Sequence, residues 1–98
     1  MEQMKIATDK IVPLDFESDE LPAEIRSLRP VVFREETSYW CLLGPDPHQG
    51  IFGNGETVMD ALADWLENLR LRLKTVDEDD EVANYAKETL RASNRDVW

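Results

Sequence analysis

Three groupings of residues in this chain are of types that carry chemistry elsewhere. His48 and Cys41, each the only residue of its kind, could form a thiolate–imidazole pair. His48, however, lies between Pro47 and Gln49 with no serine or cysteine motif beside it. Cys41 lies inside an apolar run, where a thiol is read as a small core residue rather than a nucleophile. The acidic knot Asp77-Glu78-Asp79-Asp80-Glu81 could hold a cation. It lacks the alternate ligands, the glycine and the distant glutamate of a calcium loop, and it reads instead as the solvated start of a helix. Gly53-Asn54-Gly55 resembles a fragment of a phosphate loop. It has neither the third glycine nor the lysine, and Glu56 would repel phosphate there. These glycines read as turn residues with positive φ. No catalytic constellation emerges, and no metal or cofactor is expected.

The elements around these residues follow from patterning. Residues 57–74 form the clearest segment, a helix with Val58, Leu62, Trp65, Leu66, Leu69 and Leu73 on one stripe. Thr57 and Asp60 make a capping box at its start. Asp60, Asp64, Glu67 and Asn68 are expected to point away. Acids precede bases along the helix, as its dipole prefers. Before it, residues 31–34, 39–43 and 50–53 read as strands, the first two joined by the turn at residues 35–38. In the second strand Trp40 and Leu42 share one face, and Tyr39, Cys41 and Leu43 share the other. Both faces are apolar, which predicts a central strand with a helix on one side and a partner subunit on the other. Gly44, Pro45 and Pro47 make the intervening segment a loop.

The flanks are less regular. Residues 5–16 suit an edge strand that Pro13 keeps from a central place. Residues 22–28 suit one or two helical turns ended by Pro30, with Arg29 driven to extended geometry. Residues 79–93 read as a second amphipathic helix, with Val82, Tyr85, Ala86, Thr89 and Leu90 on one face and Asp79 or Asp80 as its cap. The tail, residues 93–98, reads as frayed, with Val97 and Trp98 available to dock. The fold class predicted is α+β: an antiparallel sheet of three or four strands covered by one long helix, with a C-terminal helix.

Ninety-eight residues make a single domain, able to bury only about 60–65% of its unfolded surface. Within it, residues 1–29 form an N-terminal extension, 30–74 a core, and 75–98 an acidic connection and helix. The chain carries 21 acidic and 11 basic side chains, a net charge of −10. The excess is spread evenly, at −3 for residues 1–30, −3 for 31–74 and −4 for 75–98. Such a chain repels nucleic acid and anionic lipid and attracts basic proteins. A lone cysteine excludes an internal disulfide and a cysteine zinc cluster. Without a leader-like start or an apolar stretch long enough to span a membrane, the expected location is cytoplasmic.

The stretch PDPHQGIFGNGETVMDAL, residues 45–62, resembles the core motif of HicB-type antitoxin domains. The matching residues are Pro45-Asp46, Gly50, Gly55-Glu56-Thr57 and Asp60-Ala61-Leu62, with the strand–turn–strand of residues 31–43 upstream. The gap from Asp46 to Gly50 is one residue longer than usual in the family, and Glu56 and Asp60 exchange acidic types. With its hairpin the resemblance covers about residues 30–74. It implies a partial RNase-H-like fold without nuclease residues, in a prokaryotic antitoxin that binds and blocks a small basic RNA-cleaving toxin, HicA. Many members add a DNA-binding region. Here the C-terminal segment is one acidic helix with no basic recognition element, which argues against direct nucleic-acid binding. The expected function is therefore that of a non-catalytic protein-binding module. The alternatives are an acidic decoy mimicking nucleic acid, using the knot at residues 77–81, and a homodimer pairing through a strand edge or the Trp40 face. The candidate partner-binding residues are Tyr39, Trp40, Asp46, His48, Asp77, Asp79 and Asp80.

Overall fold

The computed structural model describes residues 4–46, 48–74 and 78–95. A three-stranded antiparallel meander, β1 (Val31–Glu35), β2 (Ser38–Leu43) and β3 (Ile51–Gly55), is followed by the long helix α2 (Val58–Lys74). A short helix α1 (Ala23–Leu28) precedes the sheet, and α3 (Glu81–Arg95) follows α2. The α+β architecture and the three predicted strands are as the sequence indicates, each within two residues at its ends.

The register divides the sheet into two faces. Val32 opposes Cys41, Cys41 opposes Gly53, and Leu43 opposes Ile51. These residues face α2, whose Ala61, Leu62, Trp65 and Leu69 are buried against them. Leu21, Ile25 and Leu28 from the α1 region and Val82 and Ala86 from α3 complete this core. Thr57 Oγ1 accepts the Asp60 N–H at 3.1 Å, so the expected cap of α2 forms. Burying Trp65 requires a partner for its indole N–H, and that proton goes to the Ile51 carbonyl at 3.0 Å.

Two expectations about α2 and its turn are corrected. Gly53 and Gly55 are strand residues, not turn residues with positive φ; only Gly44, at φ 126°, has that geometry among the described glycines. Their lack of a side chain serves close approach. A Cβ on Gly53 would fall on the backbone of Trp65, 2.6 Å from its Cα, and one on Gly55 would lie 2.7 Å from the Ala61 nitrogen. The helix backbone therefore sits almost directly on β3. The same proximity turns Asp64 and Asn68 inward rather than away. Asp64 accepts the Asn54 N–H at 3.0 Å, and the Asn68 amide donates to the Phe52 carbonyl at 2.6 Å. These two bonds satisfy backbone groups on the outer edge of β3, which has no strand beyond it among the described residues.

The N-terminal segment is a strap rather than a fourth strand. A 3₁₀ turn at Thr8–Lys10 leads to one antiparallel bridge, Ile11 to Phe33, and the Val12 N–H donates to the Val32 carbonyl at 2.8 Å. Pro13 follows at once and has no N–H to extend the ladder. The strap wraps the β1 edge. Residues 4–7 and Lys10 lie beside Phe33 and Glu35 on the face opposite α2, with Lys10 paired to Glu35. Val12, Leu14 and Phe16 pack on the α2 side.

Arg29 is also corrected. It adopts φ 51°, ψ 57°, left-handed rather than extended, and its N–H reaches back to the Ile25 carbonyl at 2.9 Å. Closing α1 and reversing the chain into β1 outweighs the preference imposed by Pro30. The Arg29 guanidinium lies over the Phe16 ring at 5.7 Å, a contact that ties the strap to this corner. In α3, Val82 and Ala86 are buried as expected, but Tyr85 is exposed. The docking expected of Val97 and Trp98 lies outside the described residues.

Candidate functional site

The sequence-derived candidates fall at three places. Tyr39 and Trp40, neighbours in β2, point to opposite faces. Tyr39 is half-buried on the α2 side, where the Arg34 guanidinium lies 5.9 Å from its ring centre. Trp40 is half-buried on the other face, its ring 4.9 Å from that of Phe52 and tilted by 36°. Leu42 and Phe33 are buried on this second face, and residues 4–7 and Lys10 of the strap lie beside Phe33, on the side that the sequence left for a partner subunit. The Trp40 indole N–H is buried and has no hydrogen-bond acceptor among the described residues.

Asp46 and His48 lie at the far end of β2, in the loop to β3. Asp46 organises that loop. Its Oδ1 accepts the N–H groups of His48 and Gln49, both at 2.8 Å, and its carbonyl accepts the Gly50 N–H at 2.7 Å. An aspartate that folds a loop onto itself in this way has an internal structural role. The His48 side chain is exposed.

The structure brings this loop against the first turn of α3. Pro45, Gln49, Arg72, Asp79, Asp80, Glu81 and Val82 line a cleft of about 680 Å³. Asp80 caps α3 by accepting the Ala83 N–H at 3.1 Å. It is simultaneously held by Arg72 through two bonds, Nε to Oδ2 at 2.5 Å and Nη2 to Oδ1 at 2.9 Å. The same guanidinium donates to the Gly50 carbonyl at 3.1 Å and the Gln49 carbonyl at 2.7 Å. Arg72 holds the Asp80 carboxyl below its ordinary pKa, helped by the α3 backbone N–H groups. Asp79 is exposed, and Asp77 lies outside the described residues.

Arg72 does not stand out in the sequence, where it is one of several bases complementing the helix dipole. The available signal is its position eight residues before the acid that caps α3.

Cys41 is fully buried in the core, and burial pushes its thiol far above the ordinary range, so it is held as the neutral thiol. His48 is exposed in the loop, and among the described residues no contact orients it toward that thiol. Among the described residues no group of three or more histidine, cysteine or acidic side chains is arranged to hold a metal ion. No described helix is long and apolar enough to cross a membrane. No protein-family model, curated protein or solved structure matches this chain.

Proposed function

We propose that this chain is a non-catalytic, acidic protein-binding module that engages a basic protein partner, in the manner of the HicB-type antitoxins it resembles. The observation that carries the reading is the run from Pro45 to Leu62, in which the distinctive residues have separate roles. Asp46 folds the loop, Gly55 admits α2, and Thr57 caps it. A net charge of −10 supplies the complementarity that a basic partner needs. The nucleic-acid decoy is the weaker alternative, because Asp80 is turned inward onto Arg72 and is not free to imitate a phosphate.

The test is co-expression with any short basic protein encoded beside this one. The expected result is a stable complex that suppresses RNA cleavage by the partner and that weakens as salt is raised from about 50 to about 500 mM. A basic neighbour that does not bind even at low salt, or that cleaves RNA equally well in the complex, would overturn the antitoxin reading.

A further inference from the structure

We propose that Arg72 is a latch coupling the β2–β3 loop to the first turn of α3, so that opening either one loosens the other. One planar guanidinium makes four contacts at once: two to the Asp80 carboxylate and two to the carbonyls of Gln49 and Gly50. Arginine can do this because its donors form a fixed fork; a lysine ammonium is a point charge and cannot span the same set. The Arg72 side chain is 31% exposed and that of Asp80 15%, so the pair is largely shielded from solvent and salt.

Each element needs the latch for a different reason. The loop has Gly44 and Gly50 at its ends and is folded mainly by Asp46, so little apolar burial holds it. The first two turns of α3 bury only Val82, Ala83 and Ala86, and two of these side chains are single methyl groups. Charge-assisted bonds are stronger than neutral ones, and here they bridge two weakly buried pieces. A partner that displaces the loop at Asp46 or His48 would thereby change α3, and the reverse follows by linkage. The coupling is a property of the free chain and holds whether or not a basic partner exists.

Amide hydrogen exchange on the full chain tests the latch with three variants. Asp80→Asn keeps an N-cap acceptor for α3, since asparagine caps as well as aspartate, but loses the charged fork to Arg72. The expected result is about tenfold faster exchange at the Asn84 amide and, across the cleft, at those of Gln49 and Gly50, with the β1–β2 ladder unchanged. Asp46→Ala removes acceptors in the loop alone and is expected to speed exchange at Asn84 as well. Arg72→Lys should reproduce the Asp80→Asn pattern. If Asp80→Asn affects only α3, or Asp46→Ala only the loop, the two elements open independently and there is no latch.

Discussion

Single atoms decide much of this fold at the residue scale. Gly53 is the sharpest case, because a methyl group there has no room between β3 and the α2 backbone. Gly53→Ala is expected to cost about 3 kcal/mol or more, since neither strand nor helix backbone can yield as a flexible side chain would. Urea denaturation of the two proteins measures it. Trp65 anchors the same contact from the helix side, fully buried and bonded to the Ile51 carbonyl. Its replacement by alanine should cost about 3–5 kcal/mol, leaving a large cavity and an unpaired carbonyl. The two positions differ in how far the sequence reveals them. Trp65 lies on the apolar stripe, and its burial follows from that. The Gly53–Gly55 pair suggests a turn, and nothing local distinguishes a glycine needed for φ from one needed for space.

At the scale of elements, α2 is the best-specified piece. It is capped at Thr57, striped toward the sheet and ordered in charge along its axis. Thr57→Ala should lower stability by about 1 kcal/mol without changing the fold, a difference that thermal unfolding followed by circular dichroism would register. The strap of residues 4–16 illustrates the opposite situation. Its β-branched residues suggest a strand, yet one bridge forms before Pro13 ends the pairing. What holds it is packing on both faces of the sheet, which depends on residues far away in sequence. The polar side of α2 departs from expectation for a similar reason. Asp64 and Asn68 lie off the apolar stripe, which by pattern alone assigns them to solvent, but the closeness of α2 to β3 puts the open strand edge within their reach.

For the whole molecule, the cleft formed by the loop, Arg72 and α3 gives stability a defined acid dependence. The Asp80 carboxyl has a folded pKa below the ordinary value near 3.9. Its contribution is therefore complete above that value and is lost as pH falls through the lower, folded one. The stability difference between the native protein and Asp80→Asn should stay constant from pH 7 to about pH 5. It should shrink below about pH 4 as the native protein loses the Asp80 charge that the variant never has. Urea titrations at a series of pH values would show this, and a difference that persists unchanged at about pH 1 would contradict it. Comparing the two proteins cancels the contribution of every group they share.

By itself the sequence determined the three strands, the long helix with its cap, the second helix and the evenly spread acidic charge. These rest on local rules of periodicity, capping and charge that act within a few residues. The tertiary structure decided what those rules do not reach. It set how closely α2 approaches β3, how the strap wraps the β1 edge onto both faces of the sheet, and which acid of the knot Arg72 holds. Of the partner-binding candidates, it brought the Asp46 loop to the start of α3. Each is a contact between segments distant in the chain, fixed by how the packed layers meet rather than by the residues beside it.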